Sequence, residues 1–328
     1  MEDFWSRQTN VQTEMFEFKP FGIPATITAN QTEVLAAARL SANRFSRATS
    51  TSGQPMRLQL VVRSDSTGPV PVTLPEQLSY AGVGNWITVS AGVWGHGFAN
   101  LVSREALVFL SPALASQTRL VSRYFIDHYL LNFLLTDWAM LHASCVLDPY
   151  QQRLIVLIAP HNTGKSTTAL HLLRTGYHFL ADGMLLFRQR GDDFIIGGYP
   201  IGEVKLRDDV LALFPDYTGE AVWVREQRKT VVDLRAAHSK RLVETMIIPA
   251  AIQLCFVERS GTAQTKLTPL SPIEIWPLLL ANTVYWDESP RLAHNQAALE
   301  ALVQQAGLYH LALGTDVTEI GQTLTQIR

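Results

Sequence analysis

Residues 159 to 183 read "APHNTGKSTTALHLLRTGYHFLADG". The run that leads into them, "LIVLIA" at 154–159, is short, apolar and β-branched and predicts a buried strand. Apolar residues then recur at helical spacing up to Gly176, which suits the position just past a helix end, so a helix is expected over 166–175. "HFLADGMLLF" at 178–187 reads as the next strand. Strand, turn, helix and strand in that order predict an α/β layer.

The turn, "APHNTGKS" at 159–166, carries the chemistry. A small residue at its start and Gly164 near its end let several backbone N–H groups point at one anion, and the helix behind it adds a favourable field. The expectation is a phosphate-binding loop of Ala159, Pro160, His161, Asn162, Thr163, Gly164, Lys165, Ser166 and Thr167. Backbone amides do the holding, so the side chains of His161 and Asn162 need not touch the ligand. Lys165 would bridge the outer phosphates of a nucleotide as a point charge, and the Ser166 hydroxyl would ligate Mg2+. Asp182 closes the following strand, where a carboxylate would hold that metal or order its water.

The rest of the chain frames this stretch. Hydrophobic residues make up 47% and charged residues 17% of the 328, which describes a folded chain with a sizeable core. A net charge of −2 and a pI near 6.5 supply no general attraction for nucleic acid or an acidic membrane, and neither is an expected partner. Cys145 and Cys255 are the only cysteines, with no metal-ligand spacing, which suits a reducing cytoplasm. The start "MEDFWSRQTN" is unlike a secretory signal. The most apolar stretches, 129–147 and 273–286, are broken by polar residues or are too short to span a bilayer.

Residues 1–120 alternate extended runs, such as "RLQLVVRSD" and "NWITVSAGVWG", with turn-rich breaks and one helical stretch at 30–46. They are expected to form a smaller α+β domain. From 121 to 328 the pattern becomes α/β: a helix over 123–140, strands at 141–147 and 153–159, then the region above. Further strands are expected at 193–201, 250–258 and 308–313, with helices at 272–286, 295–307 and 316–327.

Residues 141–182, "LHASCVLDPYQQRLIVLIAPHNTGKSTTALHLLRTGYHFLAD", resemble the core of the HPr kinase/phosphorylase family and its HPr-kinase-related serine kinases, which share a fold with ATP-dependent phosphoenolpyruvate carboxykinases. The resemblance is carried by His142 before the loop, by Gly164, Lys165, Ser166, Thr168, Ala169, Leu170, Leu172 and Gly176, and by Ala181 and Asp182. It implies an ATP- and magnesium-dependent phosphotransferase whose acceptor is a hydroxyl, expected to be serine, on a small molecule or peptide. Lys165 would stabilise charge, Ser166 and Asp182 would hold the metal, and His142 or Asp182 would handle the acceptor. The chain departs from the family at Ala159, where a Gly is usual, and at Gly183, where the family has the second Asp of a pair. The family's signature run is replaced by "GYPIGEVKLRDDV", so HPr itself is not the expected acceptor. The alternatives are a degenerate nucleotide-binding regulator or scaffold, with Gly183 as its mark, and a nucleotide hydrolase. A homo-oligomer is compatible with any of these.

Weaker candidates are Glu203, Lys205, Arg207, Asp208 and Asp209 in one charged segment and Arg225, Arg228, Lys229 and Asp233 in another. Solvated surface loops are the plainer reading of both.

Overall fold

The structure is a computed structural model that describes residues 13–48, 53–64, 67–224, 227–283, 290–316 and 318–327. The chain divides into two compact units: one holds the residues up to Asn43, Arg47–Thr136 and Trp223–Arg225, the other Arg44–Ser46, Asp137–Val222 and Glu226 onward. The first therefore runs past the expected boundary at 120. Asp127–Leu134 is a helix of that unit whose Tyr129, Leu130 and Phe133 are fully buried. Gly97 shows why it stays there: a Cβ at that position would meet the Tyr129 hydroxyl at 2.7 Å, so the bare backbone makes room for the ring.

In the first unit β1 (Glu14–Phe18), β2 (Ala25–Ala29), β3 (Met56–Val62), β4 (Ser79–Val83), β5 (Trp86–Ser90), β6 (Gly95–Asn100) and β7 (Glu105–Leu110) form one sheet. Its order is β1-β2-β3-β7-β6-β5-β4, with β2, β3 and β7 parallel. Alternation sets the faces: Met56, Leu58, Leu60 and Val62 point inward while Arg57 faces out. The short helix Leu35–Ala42 buries Leu35, Ala37 and Ala38.

The second unit contains β8 (Ala139–Leu141), β9 (Ser144–Asp148), β10 (Arg153–Ile158), β11 (His178–Asp182), β12 (Met184–Arg190), β13 (Asp193–Tyr199), β14 (Glu203–Leu206), β15 (Gly219–Val224), β16 (Gln227–Asp233), β17 (Ala251–Arg259), β18 (Lys266–Pro269) and β19 (Gly307–Leu313). A six-stranded sheet has the order β11-β9-β10-β17-β19-β18, with β10, β17 and β19 parallel. Its two faces are both covered. Ile155 and Leu157 lie with Ala169, Leu170 and Leu173 of the helix Lys165–Arg174 and with Ile320 and Leu324. Leu154, Val156 and Ile158 lie with Leu185 and Phe187 and with Ile275, Leu279, Leu299 and Leu302 of the helices Pro272–Leu280 and Pro290–Gln305. Two covered faces explain why all six residues of β10 are buried and why its sequence is a continuous apolar run. Two three-stranded sheets, β13-β12-β8 and β14-β16-β15, complete the unit. The mixed α/β architecture agrees with the expected class.

Several expected elements are cut differently. The helix expected over 123–140 ends at Leu134, after a widened turn at Ser122–Ile126, and its last residues are strand β8. The two charged segments read as loops are mostly strand: Glu203–Leu206 and Gln227–Asp233 pair with each other because Val204, Leu206, Thr230 and Val232 alternate inward. The helix expected over 272–286 is seen as Pro272–Leu280, and its residues 284–286 lie outside the described residues. No helix among the described residues is long and apolar enough to cross a membrane.

The runs 141–147 and 178–187 each divide between two sheets. Ser144 pairs with Asp182 in the six-stranded sheet and Leu141 with Leu185 in the three-stranded one, in one unbroken register. They form a single antiparallel ribbon that bends between the sheets. Gly183 donates its N–H to the Ala143 carbonyl at 3.1 Å and has φ of +153°, a conformation open to glycine and rarely to other residues.

Candidate functional site

That bend brings the candidate residues together. His142 and Ala143 on one strand, and Asp182 and Gly183 on the other, occupy the corner of the ribbon, beside the loop that leaves β10. The loop itself is tight. Asn162 has φ of 65° and Gly164 φ of 117°. A Cβ on Gly164 would also come within 3.1 Å of Leu313 Cδ1, so both backbone angle and space call for glycine there. Thr163 Oγ1 donates to the Pro160 carbonyl at 2.6 Å and closes the turn.

Helix Lys165–Arg174 begins directly after the loop with Gly164 as its N-cap. Glycine supplies no capping oxygen, and the first-turn amides of a helix have no acceptor within it. An anion at this end would meet those amides and the positive end of the helix dipole. Lys165 is 8% exposed, and its Nζ donates to the carbonyls of Ala159 and, at 3.1 Å, Pro160. Burial lowers its pKa, the Asp182 carboxylate opposes that shift, and Lys229 adds to it. Lys229, a second-tier candidate, is thus a charge felt at the start of this helix.

Asp182 Oδ1 accepts hydrogen bonds from Ser166 Oγ at 2.8 Å and from Ser144 Oγ. Ser144 is fully buried and directly opposite Asp182 in the ribbon. The sequence reading missed Ser144. Its only signal was its place two residues after His142 on a strand, and the register that puts it against Asp182 is a tertiary fact. Two hydroxyls from different elements therefore orient one carboxylate.

His142 lies beside this group, with its ring centroid 5.1 Å from that of His161 on the loop. Burial first, then the Lys165 and His161 charges, lower its pKa to about 4, against the opposing pull of Asp182 and the Gly183 backbone. The ring is neutral at pH 7. It is therefore an uncharged hydrogen-bonding group there and a weak base.

His128 of the first unit has its pKa lowered to about 4 by burial alone. For both histidines the folded value lies below the unfolded one near 6.5, so between the two the unfolded chain binds more protons. Their contribution to stability is complete above pH 6.5 and is lost as the pH falls toward 4. The expected loss is at most about 1.4 kcal/mol per pH unit per histidine. Urea midpoints measured at pH 7, 5.5 and 4.5 should fall, and His128→Gln should flatten part of the slope. A midpoint unchanged over that range would contradict the assignment.

The remaining candidates separate. Glu203 forms an ion pair at 3.2 Å with the buried Arg44 guanidinium. Arg207 pairs with Asp209, and Arg228 lies 3.7 Å from Asp208, on the surface. Asp233 accepts from the Arg235 amide at 2.9 Å and so ends its strand. Lys205 lies on β14 with its side chain half-buried. Arg225 lies outside the described residues. Among the described residues no group of three His, Cys, Asp or Glu side chains is gathered as for a metal, and Cys145 and Cys255 are buried free thiols.

No protein-family profile matches the sequence, and no curated protein matches it. Among solved structures the chain is similar to the Hpr(Ser) kinase/phosphatase from Coxiella burnetii, with 11% identity over 57% of this chain and 94% of that one and a TM-score of 0.29. At that score the likeness carries no argument about this chain's function. The functional reading rests on the site's own geometry.

Proposed function

We propose that the chain is a nucleotide-dependent phosphotransferase that moves a phosphoryl group from ATP or a related triphosphate to a hydroxyl, on a serine-bearing small molecule or peptide. The observation that carries this reading is the Ser166–Asp182 pair, 2.8 Å apart, with Ser166 in the first turn of a helix that opens on the buried Lys165.

In this reading the loop 159–164 and the first-turn amides hold the phosphates, and Lys165 exchanges its two loop carbonyls for phosphate oxygens. Ser166 Oγ and the Asp182 carboxylate are hard oxygen donors. They fit Mg2+, which takes one or two protein ligands and completes its shell with water and phosphate. A bound magnesium ion neutralises charge on the transferred group. Ser144 keeps Asp182 turned toward Ser166. Neutral His142 accepts a hydrogen bond from the acceptor hydroxyl and orients it, and Lys229 adds positive charge on the same side.

Asp182→Asn tests the metal assignment. Transfer from labelled ATP to serine-bearing acceptors should fall by roughly 100-fold or more, while ATP binding without magnesium changes little. Equal magnesium dependence in the parent and the variant would remove Asp182 from the metal's shell.

One observation favours a second reading. Position 183 has no side chain and a backbone angle suited to glycine, so the corner presents one carboxylate and not two. On that reading the chain binds nucleotide as a regulator and transfers nothing. Tight nucleotide binding with no acceptor labelled under any condition would select it.

A further inference from the structure

Strand β8 is three residues long and pairs along one edge with β12: Ala139 with Phe187, Met140 with Leu186 and Leu141 with Leu185. Among the described residues no strand lies beside its other edge. The buried backbone groups there still need partners, because an unsatisfied N–H or C=O is costly away from water. Residues from the C-terminal part of the chain supply them. Asn295 Oδ1 accepts from the Met140 N–H at 2.8 Å, and Thr283 Oγ1 donates to the Met140 carbonyl at 2.7 Å. Asn295 Nδ2 in turn donates to Thr283 Oγ1 at 2.6 Å, closing a ring of three hydrogen bonds through the backbone N–H and C=O of Met140. The next step along the strand is held in the same way: the His142 N–H donates to the Asn282 carbonyl at 2.6 Å.

These groups are not incidental surface contacts. Asn295 is 1% exposed and Asn282 6%, and Asn282 is itself tied to the Leu278 carbonyl at 2.8 Å. An asparagine buried to that extent on the helix Pro290–Gln305 would be expected only where both ends of its amide are used. Here one end takes a backbone donor of β8 and the other a hydroxyl that serves the same residue. Both bonds converge on Met140, two positions before the imidazole at the corner of the ribbon.

We propose that Asn295, acting with Thr283 through Met140, is a positioning residue for His142: it fixes the edge of β8 away from β12 and so sets where the imidazole stands relative to Asp182 and Lys165. The inference rests on the phosphotransferase reading for its kinetic consequence, and on geometry alone for its structural one. The hydrogen bonds described for Asn295 join it to Met140 and Thr283. Nucleotide binding is thus independent of it, and only the acceptor end of the site is affected.

The test uses the full chain with Asn295→Ala, Thr283→Val and the hydroxyl-keeping control Thr283→Ser. In each, the ring resonances of 13C-labelled histidine assigned to His142 are recorded without substrate, alongside ATP affinity and turnover. Asn295→Ala and Thr283→Val should shift the His142 ring signals and lower kcat by roughly tenfold with ATP affinity within about twofold of the parent, and Thr283→Ser should resemble the parent. In a His142→Asn background, Asn295→Ala should cost less than about twofold, since it acts through the group already removed. The same tenfold loss in that background, or unmoved His142 signals in both variants, would overturn the proposal. Should no acceptor be labelled by the parent protein, the transfer reading fails while the ring signals still decide the positioning. Should Asn295→Ala not fold, Thr283→Val carries the test.

Discussion

Lys165→Ala is expected to weaken ATP binding by at least about tenfold and to lower transfer by roughly a thousandfold, with thermal stability close to that of the parent. The Nζ of Lys165 is held between the carbonyls of Ala159 and Pro160, so the hydrogen bonds its removal breaks are local to the loop. The charge also sits where burial and the neighbouring Lys229 already press on it, and a phosphate would relieve both. Lys165→Arg should not match the parent's activity, because a planar fork does not reproduce the point charge that the ammonium presents beside the Ala159 and Pro160 carbonyls. Calorimetric titration with ATP and a transfer assay separate the two effects. Unchanged ATP affinity in Lys165→Ala would mean that the loop is not the phosphate site, and the functional reading would fall with it.

The second large effect concerns Gly183. From the resemblance alone, Gly183→Asp is the obvious repair, a way to restore the second acid of the family's pair. The backbone opposes it. With φ of +153°, any Cβ at 183 lies in a region rarely open to L-residues, and it would approach the Tyr199 carbonyl oxygen at 3.3 Å and Pro200 Cδ at 3.4 Å. Strain of this kind costs on the order of 1–3 kcal/mol, and it falls at the corner that holds His142 and Asp182 together. Gly183→Asp is therefore expected to destabilise the chain by about that amount and to reduce transfer. Gly183→Ala should show the same destabilisation without the added charge, which separates strain from electrostatics. Denaturant unfolding and the transfer assay measure both. A gain of transfer in Gly183→Asp at unchanged stability would show that the corner adapts and that a second carboxylate had been limiting.

Much of the centre was legible from the residues. β10, the loop, the helix Lys165–Arg174 and β11 follow one another with no long-range partner needed to recognise them. Local signals suffice: an apolar run, a glycine with positive φ, helical spacing and Gly176, whose φ of 115° ends the helix. The charged segments were misread for the opposite reason. Glu203–Leu206 and Gln227–Asp233 look like solvated loops because each shows only half of an alternating pattern, and the pairing that makes them strands joins residues far apart in sequence.

The candidate site divides in the same way. Sequence by itself determined the groups within one βα unit: Gly164, Lys165 and Ser166, set by the reach of a single tight loop and the helix it opens. It also named His142 and Asp182 as candidates, though not their common corner. Only the tertiary structure decided that corner, because it depends on a ribbon that keeps one register from the Ser144–Asp182 pair through the Leu141–Leu185 pair while crossing between two sheets. Ser144 and Asn295 entered through the same long-range pairing. Their side chains satisfy groups that lie near in space and far in sequence, Asp182 for one and Met140 for the other. Hydrogen bonds of that kind leave no periodicity in the chain from which they could be read.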